Sequence, residues 1–231
     1  MITLRLANDR GQADFGWLKS RHTFSFGDYY DKDHMGYSAL RVINDDRVAA
    51  GAGFQTHGHR DMEIISYVLE GEIAHKDSEQ NSVILPAGEF QLMSAGSGIR
   101  HSEFNPSKTK PLHFLQIWIQ PNVYGQAPSY QQKDFGRAQG LTLVISPEGQ
   151  AGSLSIKQEV RIYQLILAPN TSAQLPLAAR RKSYVHVITG QLTLEGHNLN
   201  AGDGAILDEV TLLDLSAQSE AVSALVFDLP Q

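Results

Sequence analysis

The chain has 231 residues, no cysteine, 42% hydrophobic residues and a net charge of −6, from 19 Lys and Arg against 25 Asp and Glu. That much apolar material supports a sizeable core in one large domain or two of about 100 residues, while the acidic balance argues against a phosphate-backbone surface and so against direct nucleic-acid binding. Lack of cysteine excludes disulfides, thiolate metal sites and cysteine nucleophiles; MITLRLANDR has no secretory apolar stretch and no run approaches the ~20 residues of a spanning helix, so a cytoplasmic location without a membrane partner is expected.

In chain order the predicted elements are short strands. ALRVIN (39–44) is the first. FQTHGHRDME (54–63) follows, with His57 and His59 two residues apart. Then come EIISYVL (63–69), EIAHKD (72–77), FQLMS (90–94) and LHFLQIWI (112–119). All but the histidine stretch are rich in β-branched or aromatic residues, and turn clusters at 70–71, 77–81, 86–88 and 95–98 separate them. Strands at roughly 8–12-residue spacing read as a sandwich or small barrel, an all-β fold. Residues 121–140 are rich in Pro, Gly and Gln without periodicity and read as a linker. Strands resume with TLVIS (142–146) and run to SALVFDL (223–229), and no long amphipathic helix is apparent. Asp45-Asp46 reads as a hydrogen-bonded turn and Arg180-Arg181-Lys182 as a solvated one.

The halves resemble each other. YVLEGEI (67–73) parallels HVITGQL (186–192), and LPAGEF (85–90) parallels LNAGDG (199–204). Such a repeat at half the chain length suggests two copies of one β-domain, with chance likeness among short β-patterns as the other reading. The expected boundaries are a first domain over 1–125, a linker over 126–140 and a second domain over 141–231.

On a strand, residues i and i+2 face one side, so His57 and His59 aim two imidazoles at one point. GIRHSEFN (98–105) repeats the device with His101 and Glu103. Neighbouring strands joining these pairs would supply three nitrogens and one oxygen, a set that suits Fe(II), Ni(II), Cu(II), Co(II) or Zn(II) better than Mg or Ca. The repeat carries the four positions onto Pro176, Ala178, Leu215 and Ala217, so the second domain is expected to be metal-free; His186 and His197 have no partner at i±2. His75 and His113 read as core or rim histidines. His22 and His34 flank an aromatic segment whose Phe24, Phe26, Tyr29 and Tyr30 read mainly as core.

The arrangement resembles the cupin family. Gly51, His57, His59 and Glu63 match its first motif, G-x5-H-x-H-x3–4-E-x6-G, with the closing Gly71 one place late. Gly98, His101 and Asn105 match the second, P-x-G-x2-H-x3-N, with Gly96 in place of the proline. Within cupins, RHTFSFGDYYD (21–31), GYSALRVINDDRV (36–48), THGHRDMEIISYVLEGEIAHKDS (56–78) and SAGSGIRHSEFNPS (94–107) look like consecutive signatures of the pirin family. The second half is similar to pirins mainly in length and repeat pattern. Gly58 departs from the proline common between the two histidines.

That resemblance implies a bicupin, two β-barrels in one chain with the metal in the first. It implies His57, His59, His101 and Glu103 as ligands of one divalent transition metal per chain, iron as the first expectation and Ni, Cu, Co or Zn as alternatives. Glu63, a ligand in other cupins, becomes a structural residue or a support for the ligands. The implied activity is a quercetin 2,3-dioxygenase: a small aromatic substrate and dioxygen react, carbon monoxide leaves, and Glu103 is the catalytic base for the flavonol hydroxyl. A pirin-type regulatory or redox-sensing protein acting through a protein partner is the alternative, and a metal-free structural bicupin is a third that the intact ligand set argues against.

Overall fold

The computed structural model describes residues 1–231. It is built of strands, with two short 3-10 turns, Ala7–Asp9 and Gln150–Gly152, as its helical pieces. The strands begin with β1 (Ile2–Arg5), β2 (Gly11–Asp14), β3 (Leu18–His22), β4 (Leu40–Val48), β5 (Gly53–His59), β6 (Glu63–Glu70), β7 (Glu72–Asp77) and β8 (Ser82–Pro86). They continue with β9 (Glu89–Ser94), β10 (Ile99–Phe104), β11 (Leu112–Ile119), β12 (Ser129–Asp134), β13 (Gly140–Ser146), β14 (Leu154–Ser155), β15 (Arg161–Leu167) and β16 (Ser172–Pro176). The last are β17 (Lys182–Thr189), β18 (Leu192–Leu194), β19 (His197–Leu199), β20 (Gly204–Leu207), β21 (Leu212–Ala217) and β22 (Val222–Leu229).

Two compact units divide the chain. One takes Gly11–Phe135 and Ile156–Gln158; the other takes Met1–Arg10, Gly136–Ser155 and Glu159–Gln231. The first has a seven-stranded sheet, β12-β9-β6-β11-β4-β3-β2, and a four-stranded sheet, β5-β10-β7-β8. The second has β1-β20-β17-β22-β15-β13-β14 and β16-β21-β18-β19. The two orders match strand for strand from β9-β6-β11-β4 onto β20-β17-β22-β15, and from β5-β10-β7-β8 onto β16-β21-β18-β19. The internal repeat is therefore structural, and each unit is a barrel of the kind the cupin resemblance implies.

Gly71 and Gly190 close the same turn in the two copies, at φ +80 and +76. A Cβ there would lie 2.9 Å from the Pro111 carbonyl oxygen and 2.2 Å from that of Ala221. Left-handed backbone and close approach together leave room only for glycine.

Alternation along β6 shows how the first core is built. Ile64 and Val68 join clusters with Ile99 and with Ile73 and Leu85 of the smaller sheet, while Tyr67, of the other parity, stacks on Phe90 at 4.0 Å. Each such fully buried aliphatic contributes about 1.5–3 kcal/mol. Between Ile64 and Val68 on the same face sits Ser66, the first sign that this interior is not wholly apolar. The second unit differs: Leu175, Leu213 and Leu215 of β16 and β21, the counterparts of β5 and β10, enter one continuous apolar cluster.

Four segments depart from the expected layout. Ile2–Arg5 pairs antiparallel with Gly204–Leu207, so the first ten residues belong to the second unit. Ser129–Asp134, inside the stretch read as a linker, forms an edge strand along β9. Asp45-Asp46 is no turn. Both lie within β4, where Asp45 meets the imidazole of His113 at 2.7 Å and Asp46 is buried. Nor is Arg181 free in solvent, since its guanidinium binds Asp228.

Candidate metal centre and cavity

β5 and β10 run antiparallel with His57 opposite His101 and His59 opposite Ile99. The register slips between His101 and Glu103, which stands opposite Phe54. The bulge sets an extra residue in β5, and such bulges re-aim side chains near functional sites. Gly53 lets the strands approach this closely: a Cβ there would sit 2.3 Å from the Glu103 carbonyl oxygen.

The result is a tight cluster. The His101 Nε2 lies 3.0 Å from that of His59 and 3.1 Å from that of His57. His57 places its Nδ1 2.7 Å from the Gln55 carbonyl oxygen. A carbonyl can only accept, so Nδ1 carries a proton, and in the neutral ring the His57 Nε2 keeps its lone pair. Burial, and then the neighbouring imidazoles, pull His59 down to about 4 and His101 to about 3, with Glu103 partly opposing at His59 and Asp77 at His101. Both rings are thus neutral near pH 7. Neutral imidazoles converging through Nε2 at this spacing suit one shared cation: bonds of about 2.1 Å at right angles put neighbouring nitrogens about 3.0 Å apart. The residues present therefore fit a borderline divalent ion.

Glu103 is 3% exposed. Its Oε1 accepts the Ser66 hydroxyl at 3.2 Å and its Oε2 accepts the Gln116 amide at 2.9 Å. Its carboxylate groups within 4.8 Å with His101 and His75, whereas the tight group of His57, His59 and His101 forms without it. Glu63 sits elsewhere. Unbroken pairing from Glu63 to Tyr67 along β9 puts it at odd parity to Ser66. Its Oε2 accepts the Ser94 hydroxyl at 2.8 Å and the Lys157 backbone amide at 3.2 Å. Burial holds this carboxyl above its usual range, and those two hydrogen bonds offset part of the effect. Asn105 of the second motif pins backbone instead, donating to the carbonyls of Val48, Ala49 and Lys110.

His57 and His59 open onto a cavity of about 1090 Å³ in the same unit, whose walls include Phe15, Trp17, Phe26, Tyr29, Phe54 and Trp118. Phe26 and Tyr29 are therefore cavity residues, whereas Phe24 is buried core and Tyr30 is exposed. His22, bonded to Asn44 at 2.8 Å, also lines the cavity, while His34 pairs with Asp31 at its own loop. Sequence reasoning missed Trp17, Phe54, Trp118 and Asp46. For Phe54, Trp118 and Asp46 the only signal is strand parity, which needs the register of β5, β11 and β4 to be known; Trp17 lies just before β3.

Asp46 shows what this interior costs. Burial pushes its carboxyl up to about 7, the Ser20 hydroxyl opposes this, and Asp45 and Glu103 add to it. Its Oδ1 has no partner. A carboxyl raised on folding stabilises the native state below its unfolded pKa and loses that contribution as pH rises through the folded value. In metal-free protein the Asp46 contribution should accordingly fall between pH 4 and about 7, by on the order of a few kcal/mol, while the depressed His59 and His101 add stability as pH rises through much of the same range. Asp46→Asn should remove that falling component, so the stability difference between variant and wild type should change between pH 4 and about 7; urea unfolding of both at several pH values checks it, and a difference constant with pH would remove Asp46 from the account.

Comparisons with known proteins agree with this geometry. The Pirin family profile matches residues 3–119, and that of the quercetinase C-terminal cupin domain matches residues 143–229. The second match gives the C-terminal half a family identity that its sequence, stripped of ligand motifs, hardly shows. A protein of Escherichia coli (strain K12) named quercetin 2,3-dioxygenase is 49% identical over 230 residues, covering 100% of this chain and 99% of that protein. The crystal structure of YhhW from Escherichia coli superposes with a TM-score of 0.98 at 49% identity, covering 100% of this chain and 98% of that one. The structure of bacterial pirin YhhW in complex with nickel(II) superposes at 0.96 with 48% identity, covering 100% and 99%. An all-β chain with two cupin domains, this protein belongs to the pirin family.

Proposed function

We propose that this pirin is a metal-dependent dioxygenase that opens the heterocycle of a flavonol such as quercetin. The observation that carries the reading is the convergence of three imidazole Nε2 atoms at the wall of an aromatic cavity large enough for a polycyclic substrate. The relative named quercetin 2,3-dioxygenase and the nickel complex of YhhW support it.

His57, His59 and His101 would hold the ion, with Glu103 as the oxygen donor beside them. A bound ion of this kind lowers the pKa of a coordinated hydroxyl and brings substrate and dioxygen together. The chain's own groups do the rest. Aromatic walls from Phe26, Phe54 and Trp118 sandwich a planar ligand and exclude water. Glu103 takes the proton of the flavonol 3-hydroxyl, and the donors Ser66 and Gln116 keep its carboxylate aimed. Dioxygen is inserted into the heterocycle, carbon monoxide leaves and a depside remains.

The test is to load metal-free protein with Fe, Ni, Cu or Co and follow the flavonol absorbance band under oxygen, collecting carbon monoxide. Loss of the band only in loaded samples is expected. Full occupancy with no consumption in any preparation would favour a regulatory role through a protein partner.

A further inference from the structure

We infer that the buried pair His75–Asp77 positions His101, by accepting the Nδ1–H of that ring and so presenting its Nε2 lone pair to the metal. The inference rests on the metal-binding reading above. β7 lies antiparallel to β10 with Asp77 opposite His101 and His75 opposite Glu103, so four polar side chains form a two-by-two grid on one face. The side chains of His75 and Asp77 are both 0% exposed.

The protons can be assigned. Asp77 Oδ1 accepts the backbone amides of Glu79 and Asn81, and its Oδ2 accepts the Asn81 side-chain amide and the His75 Nε2, the last at 2.9 Å. Burial pushes the Asp77 carboxyl up, and the hydrogen bonds from His75 and Asn81 outweigh it and hold the carboxyl below its usual range. A carboxylate only accepts, so His75 carries a proton on Nε2, and in the neutral ring Nδ1 holds the lone pair. His101 must place its own proton on Nδ1 if Nε2 is to serve as a ligand. Both Nδ1 atoms are buried and neither has a hydrogen-bond partner. Orphaned buried polar atoms are rare and call for a cause. Here one orphan is a donor and the other an acceptor.

The two rings are close enough to meet. Their centroids are 5.4 Å apart, and each ring offers a nitrogen to a group whose atoms all lie within 4.8 Å. Tyr130 packs on His75 with 4.9 Å between centroids and limits its retreat. A ligating histidine almost always donates its second N–H to a fixed acceptor, which orients the ring and raises its basicity. For His57 that acceptor is the Gln55 carbonyl. His101 has none except His75, with Asp77 behind it.

The experiment compares wild type, His75→Phe, His75→Gln and Asp77→Asn. Nickel affinity is measured by competition with a chromophoric chelator, the electron paramagnetic resonance spectrum is recorded on Cu(II)-loaded protein, and melting is followed without metal. His75→Phe fills the space but accepts no hydrogen bond, and it should weaken nickel binding by about 10–100-fold and shift the copper spectrum. Asp77→Asn should weaken it less. His75→Gln, which retains an acceptor, should recover most of the affinity even if metal-free melting falls. Nickel affinity and copper spectrum unchanged in His75→Phe would overturn the inference. So would His75→Gln and His75→Phe losing affinity alike, in proportion to their loss of metal-free melting temperature. Wild type that takes up no nickel would instead defeat the metal-binding reading, and this inference with it.

Discussion

His101→Ala is expected to abolish metal binding and flavonol turnover together while the barrel stays folded. Both close Nε2 contacts of the cluster run through His101, at 3.0 and 3.1 Å, so its removal leaves two imidazoles on one strand and none opposite them. Loss of a mere outer partner costs about 10–100-fold in metal affinity, and loss of a ligand should exceed ~100-fold. The fold does not depend on this ring. β10 pairs with β5 and β7 through its backbone, and Ile99 keeps its place in an apolar cluster. Equilibrium dialysis with metal analysis, beside far-ultraviolet circular dichroism, reads both halves of the statement. A folded variant that keeps a full equivalent of metal would remove His101 from the centre.

The second large effect belongs to Glu103→Gln, which should slow turnover by about 10²–10⁴-fold while part of the metal remains. An amide cannot take the substrate proton, yet its oxygen can still accept the Gln116 amide while its NH2 faces the Ser66 hydroxyl, which can turn to accept. Glu63→Gln is the matched control. Its carboxylate is held by Ser94 and the Lys157 amide, and a glutamine oxygen can accept both. Metal content and single-turnover rate should therefore fall steeply only at position 103. Equal metal loss in the two variants would make Glu63 a ligand.

The candidate site was legible in the sequence because strand geometry is local. His57 with His59, and His101 with Glu103, each declare a common face through a spacing of two. What joined them was not legible. The opposition of His57 to His101 and the bulge between Phe54 and His57 depend on partners far apart in the chain. Asp45-Asp46 was misread because adjacent carboxylates resemble a turn; within β4 each finds its own setting, Asp45 against His113 and Asp46 at the cavity. SYQQKD escaped notice as a strand because an edge strand buries too little for apolar alternation to be needed. The central strands of the first large sheet were legible in runs such as EIISYVL and LHFLQIWI, which are rich in β-branched and aromatic residues.

The pairing of Ile2–Arg5 with Gly204–Leu207 also has a bearing on how the molecule comes into being. β1 is synthesised long before β20, and domains generally fold as units during synthesis, N-terminal first. The first barrel can thus close while β1 still waits for its ladder. At equilibrium so long a loop adds little, since closure entropy grows only logarithmically, but the distance delays the last step of assembly. Until then Ile2 and Leu4 stay in water on an unpaired strand, the kind of segment on which holding chaperones and proteases act. Any chain interrupted before β20 would leave β1 without its partner strand, and Ile2 and Leu4 without the apolar cluster they pack against.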